Sequence, residues 1–183
     1  MPYAVGDIVE PFTLPRAGGG SVSLDPSAAP ATVVVWTCNH CPYALAWHDR
    51  IQAVARDFTP RGVRMLQVNA NDAAKYPEDS LARMEERVRA GEVASDYLRD
   101  EDQVLSKRWG AKVTPDVFVL DGEGRLRYRG APDADHDDES QGASWLRAAL
   151  EDLLAGRAVA RPETKPRGCS VKWIVNDQPN PYL

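Results

Sequence analysis

The stretch Thr32-Val33-Val34-Val35-Trp36-Thr37-Cys38-Asn39-His40-Cys41-Pro42 constrains this chain more than any other. A β-branched run leads in, and an amphipathic segment, Ala44 to Phe58, leads out. The pattern predicts a buried strand that ends in Cys-x-x-Cys and turns directly into a helix. A helix N-terminus presents unpaired backbone N–H groups and the positive end of the macrodipole. A thiolate is stabilised there, and the thiolate is the nucleophilic form of cysteine. Residues three apart on a helix are neighbours, so Cys38 and Cys41 can close a disulfide with little backbone movement. The first expectation is a reversible dithiol/disulfide couple in which Cys38 ionises easily. His40 sits just before the second cysteine. A protonated imidazole there favours the thiolate, at about 1.4 kcal/mol per pKa unit, and makes the disulfide a stronger oxidant. The bland alternative is a solvated histidine in a turn.

The totals narrow the class. A length of 183 residues suggests one domain, with room for an elaboration. Net charge is −5, and the Lys and Arg residues are scattered, so no nucleic-acid partner is expected. No apolar run approaches a membrane span. The start, Met1-Pro2-Tyr3-Ala4-Val5-Gly6-Asp7, has neither a basic opening nor an apolar core, so the expected location is the cytoplasm. Three cysteines in a reducing compartment argue against a disulfide framework. They point to redox or metal chemistry, or to a buried bystander.

Along the chain, Phe12-Thr13-Leu14 and Val22-Ser23-Leu24 read as a hairpin around Ala17-Gly18-Gly19-Gly20. On the long helix Trp47, Ile51, Val54 and Phe58 recur at helical spacing, which predicts packing on a sheet. Val63 to Val68 is the next strand and leads into Asn69-Ala70-Asn71-Asp72. Polar groups at a strand's carboxyl end serve function or capping. Pro77 to Gly91 reads as a charged helix, Ser95 to Leu98 as extended, and Glu101 to Trp109 as a short helix. Lys112-Val113-Thr114-Pro115 precedes an antiparallel hairpin, Asp116 to Leu120 and Arg125 to Arg129. Pro115 is tolerable at a strand start, in either isomer. Ser144 to Leu154 is the last helix. Arg157 to Leu183 reads as an irregular tail held down by Val171, Trp173 and Ile174.

This order resembles the thioredoxin superfamily, and the opening hairpin resembles its redoxin branch. A closer resemblance is to bacterial thioredoxin-like proteins that carry Cys-Asn-His-Cys-Pro, Tyr-Pro-x-Asp-Ser and Gly-Cys-Ser-x-Lys-Trp. Here these are Cys38 to Pro42, Tyr76 to Ser80 and Gly168 to Trp173. The resemblance implies an α/β fold, a three-layer α/β/α sandwich with a mixed central sheet. It implies a redoxin domain over 1–156 with a helical insertion at about 72–110, and a tail, 157–183, packed on it. It makes Cys38 the attacking thiol and Cys41 the resolving one. Thr114-Pro115 becomes the cis-proline loop that offers backbone hydrogen bonds to a substrate chain, with Trp36 beside it. Two departures stand out. Thioredoxin has a buried Asp on the strand before the motif, where this chain has Thr32. The cytochrome-maturation relatives have a Glu inside the motif, where this chain has Asn39 and His40. The usual proton acceptor for Cys41 is therefore missing. His48 lies about 10 Å along the helix, too far for direct transfer, which leaves water or Asp72.

The leading expectation is a thiol–disulfide oxidoreductase acting on a thiol or disulfide protein or a small thiol, with no cofactor beyond the Cys38–Cys41 disulfide and no metal. A peroxidase is the second reading, with Cys38 oxidised to a sulfenic acid and resolved by Cys41 or Cys169. Against it, peroxiredoxins place Thr or Ser three residues before the peroxidatic Cys, where Val35 stands here, and Pro four before that, where Ala31 stands. The third is a Sco-like copper-binding protein using Cys38, Cys41 and His136, although that family has one more residue between its cysteines. Cys169 is either a small buried apolar residue or a third redox thiol brought to the site by the tail.

Overall fold

All seven residues of β3 (Ala31–Thr37) are buried. In the computed structural model, which describes residues 1–175, this strand is the middle of a five-stranded sheet. It pairs in parallel with β4 (Arg64–Asn69), which pairs in parallel with β5 (Asp96–Arg99). On its other side it pairs antiparallel with β7 (Asp116–Asp121), and β7 with β8 (Leu126–Gly130). The sheet is therefore mixed, as the crossover after β3 and the tight turn at Asp121–Gly124 require.

Alternation along β3 divides two cores. Val33 and Val35 face Trp47, Ile51, Val54 and Phe58 of α1 (Pro42–Phe58) and Leu146 and Leu150 of α4 (Ser144–Leu154). Val34 and Trp36 face Trp109 of α3 (Val104–Trp109), Phe118 and the hairpin residues Val22 and Leu24. Burying each large apolar side chain contributes about 1.5–3 kcal/mol. The hairpin is β1 (Thr13–Pro15) and β2 (Ser21–Ser23), antiparallel as predicted. The expected three layers are all present. No helix among the described residues is long and apolar enough to cross a membrane.

Several elements differ from expectation. The predicted helix from Pro77 breaks into a 3-10 turn, Pro77–Asp79, and α2 (Leu81–Arg89). The break turns Asp79 fully inward, and the Ser80 hydroxyl accepts the Arg83 N–H at 3.3 Å to cap the new helix. The helix predicted from Glu101 begins only at Val104, because Gln103 is left-handed (φ 60°). Its side chain turns in to donate to the carbonyls of Ala70 at 2.6 Å and Lys172 at 2.8 Å. The tail is less irregular than expected. Cys169–Ser170 forms β9, antiparallel to β6 (Val113–Thr114), with Cys169 opposite Thr114. Val171 and Trp173 do pack on the Trp36 core, but Ile174 is 43% exposed and anchors only through its backbone N–H, donated to Gln103. Residues 176–183 of the predicted tail lie outside the described residues.

The peptide bond Thr114–Pro115 is cis. The next residue, Asp116, is fully buried; one carboxylate oxygen accepts the Lys112 N–H at 3.1 Å and the other has no hydrogen-bond partner among the described residues. Burial pushes its carboxyl up to about 6. In the unfolded chain an Asp titrates near 4. Between these values the folded state holds more protons, so this group's effect on stability is most favourable below about pH 4 and worsens as pH rises to about 6. The Asp116→Asn protein keeps an acceptor for Lys112 and loses the charge. It is predicted to gain about 2 kcal/mol at pH 7 and to lose this slope, as read by chemical denaturation between pH 4 and 7. An unchanged slope would overturn the assignment.

Candidate active site

Cys38 follows the last residue of β3, and Cys41 is the residue that opens α1, with Pro42 at the first helical position. The chain turns tightly enough for the Cys41 N–H to donate to Cys38 Sγ at 3.3 Å. Thr114 closes the site from the opposite strand. Its hydroxyl lies 3.3 Å from Cys38 Sγ, and its carbonyl accepts from Cys41 Sγ at 3.3 Å. Both cysteines are free thiols and each is 2% exposed.

The sulfurs titrate as a pair. Hydrogen bonding from Cys38 pulls Cys41 down against burial, aided by the Cys169 thiol, the Thr114 side chain and the Ala44 N–H at the helix start. Cys38 is pushed up by that same bond to Cys41, by burial and by the nearby Asp79 carboxylate. The pair therefore loses one proton readily and a second with difficulty. One proton is thus shared between the two sulfurs. Cys38 Sγ accepts the Cys41 N–H and meets the Thr114 hydroxyl, while Cys169 approaches from a tail whose position no local pattern shows.

The carboxylate that serves the motif is Asp79. Its Oδ1 accepts the Asn39 N–H at 2.6 Å and the Asn69 amide at 3.1 Å. Its Oδ2 accepts the Asn71 amide at 2.9 Å and lies 2.6 Å from His40 Nδ1. The His40 ring stacks on Tyr76, with centroids 5.4 Å apart and planes within 6°. Asn39 is fixed as firmly: its side-chain oxygen accepts from Tyr97 Oη at 2.7 Å and Arg87 Nη1 at 3.0 Å. Asp72, the alternative to water as a proton acceptor for Cys41, is engaged elsewhere. Its Oδ1 accepts the Ala74 N–H at 3.0 Å, and its N–H donates to the Lys172 carbonyl. The Tyr-Pro-x-Asp-Ser stretch was the sequence signal for Asp79, but nothing in it said which way the carboxylate turns.

Other expected residues fall in different places. Thr114 and Pro115 are at the sulfurs. Trp36 is not a binding surface: it is 0% exposed and packs on Trp109, centroids 4.9 Å apart. Its place on an interior strand sends it into the core. His48 lies 2.8 Å from the Glu92 carbonyl and within 3.4 Å of Arg87, and burial with that guanidinium lowers its pKa. His136 lies over Tyr43 at 4.3 Å and faces Asp135 and Asp137. Among the described residues, no cluster of ligating atoms joins His136 to a cysteine; the one that contains a cysteine is Cys38, His40 and Asp79, within 4.8 Å of one another. Asp79 already holds four contacts, the full acceptor capacity of a carboxylate, so a cation there must displace them. Cys169 packs beside Cys38, Cys41 and Ala44.

No curated protein matches the sequence. Among solved structures, a hypothetical protein from Sinorhizobium meliloti 1021 is 31% identical, with a TM-score of 0.89 over 96% of this chain and 98% of that one. An uncharacterised conserved protein from Geobacillus kaustophilus is 34% identical, with a TM-score of 0.88 over 93% of each chain. Peroxidoxin BcpB from Mycobacterium tuberculosis is 16% identical, with a TM-score of 0.59 over 86% of this chain and 97% of that one, a likeness of fold. The AhpC/TSA family model matches residues 5–129. The chain belongs to the AhpC/TSA family, in the redoxin branch of the thioredoxin superfamily.

Proposed function

We propose that this protein is a thiol–disulfide oxidoreductase in which Cys38 and Cys41 are the redox couple. The observation that carries the reading is the convergence of both thiols on one residue, Thr114, each at 3.3 Å, at the start of α1. Cys38 attacks a substrate disulfide as the thiolate; a bond forms between Cys38 Sγ and one substrate sulfur, and the other leaves as a thiol after taking a proton. Cys41 then attacks Cys38 Sγ, closes the Cys38–Cys41 disulfide and releases the second substrate thiol. Two electrons and two protons pass to the substrate. The shared proton suits the sequence: as Cys38 attacks, the proton stays with Cys41 and then passes to the leaving substrate thiol, which leaves Cys41 a thiolate for the resolving step.

The His40–Asp79 pair is the charge nearest the couple. A protonated His40 offsets Asp79, whose negative charge otherwise raises the Cys38 pKa. One observation favours a peroxidase as a second reading. The Thr114 hydroxyl at Cys38 supplies, from another strand, the hydroxyl that Val35 cannot. Peroxide consumption in the presence of a thiol reductant separates the two activities.

With a disulfide-containing peptide, the Cys41→Ser protein is predicted to accumulate a mixed disulfide at Cys38, seen by mass spectrometry; if neither Cys41→Ser nor Cys38→Ser traps one, the exchange mechanism is wrong. The His40→Gln protein leaves Asp79 uncompensated. Its thiols are predicted to react with iodoacetamide along a pH curve displaced upward, with rates at pH 7 lower by roughly tenfold for each unit of displacement. A curve that stays in place or moves down would remove His40 from the tuning of the couple.

A further inference from the structure

β9 is not needed to close the sheet, yet it sits at the sulfurs. β6 has no other strand partner among the described residues, and its register sets Thr114 against Cys169 and Val113 against Ser170. Gly168 lies so close that a Cβ there would stand 2.2 Å from the Thr114 carbonyl oxygen and 2.7 Å from its carbon. The segment is tied on both sides. Upstream, the Thr164 N–H donates to the Arg129 carbonyl at 3.0 Å, and the Thr164 hydroxyl meets Tyr128 Oη at 2.9 Å. Downstream, the Lys172 N–H donates to Asn71 at 2.9 Å, Val171 is buried, and the Lys107 ammonium lies 5.7 Å over the Trp173 ring. Between these ties Cys169 is only partly buried, and it packs against Cys38, Cys41 and Ala44.

We propose that Cys169 is a third redox-active thiol, which forms a disulfide with Cys41 and so fastens β9 across the edge of Thr114. The inference rests on the dithiol reading of Cys38 and Cys41. From the oxidised couple, the Cys169 thiolate attacks Cys41 Sγ. The Cys41–Cys169 bond forms, the Cys38–Cys41 bond breaks, and Cys38 leaves as a thiolate that takes up the proton Cys169 lost. No electrons are gained or lost in that exchange. From the reduced protein, a small disulfide such as oxidised glutathione accepts two electrons and two protons from Cys41 and Cys169 and leaves as two thiols. An extended substrate segment that brings a disulfide to this site competes for the backbone edge that β9 occupies. The edge opens when the Cys41–Cys169 bond is reduced and β9 lifts away.

Cys38 and Cys41 share one tryptic peptide, Ala17–Arg50, and Cys169 lies in another, Gly168–Lys172. The full, unmutated chain equilibrated with oxidised glutathione is therefore expected to yield the two peptides joined by a disulfide, with fragmentation placing it at Cys41. A map that holds only the bond within Ala17–Arg50 would overturn the proposal. The Cys38→Ser chain is expected to lose both remaining thiols on oxidation without forming a disulfide between chains; two persisting thiols, or glutathione adducts alone, would overturn it. In that background Gly168→Ala, which drives a Cβ into Thr114, is expected to slow bond formation at least tenfold, and an unchanged rate would remove the role of β9. The map of the unmutated protein decides even if the Gly168→Ala chain does not fold. Trapping at Cys38 in the Cys41→Ser protein does not involve Cys169. A trapped adduct without a Cys41–Cys169 bond would sink this inference and leave the exchange mechanism standing.

Discussion

Thr114 is the residue on which three separate parts of the chain meet. Its hydroxyl addresses Cys38, its carbonyl addresses Cys41, and its backbone edge holds Cys169. None of these contacts is strong by itself, since a hydrogen bond adds only about 1 kcal/mol net. Their effect is positional. The residue stands where β6 meets Pro115, so the sheet that carries β7 fixes it, and the sulfurs take their places relative to that sheet. The reactive turn is held from in front as well as from its own helix.

Asp79 does for the loop what Thr114 does for the sulfurs. A carboxylate taken wholly out of water is costly unless its lone pairs are met. Here Asn39, Asn69, Asn71 and His40 meet them. The two residues between the cysteines are thus pinned by a side chain about forty positions on, while Tyr76 stacks on the imidazole and the Lys172 ammonium lies 5.9 Å from the Tyr76 ring. The same network links the end of β4 to the tail, because Asn71 also accepts the Lys172 N–H.

Much of this could be read from residue patterns. The valine run, the Cys-x-x-Cys, the amphipathic Trp47-Ile51-Val54-Phe58 face and the Thr-Pro before a hairpin each follow a short-range rule, and together they imply the layer order. The misreadings share a different cause. Trp36, expected beside the substrate, is on an interior strand, and its register against Asp116 puts it on the Trp109 side. Asp72 stands at a strand end and was offered only as an alternative to water, whereas a 3-10 turn at Pro77 brings Asp79 to the motif. β9 is two residues long, too short for any periodicity, and its register is set by a glycine's contact with a distant carbonyl. Local rules describe elements. They do not say which loop reaches back to which sulfur.

The Asp79 network also restricts how this sequence can drift. Replacing Asp79 with an apolar residue strands the amides of Asn69 and Asn71, together with the Asn39 backbone donor, and replacing Asn69 or Asn71 with an apolar residue leaves a buried carboxylate short of a donor. Single steps are penalised in either direction. Tyr76 to Ser80, the pair between the cysteines and the asparagines around the end of β4 are therefore coupled, so that a change in one part calls for changes in the others.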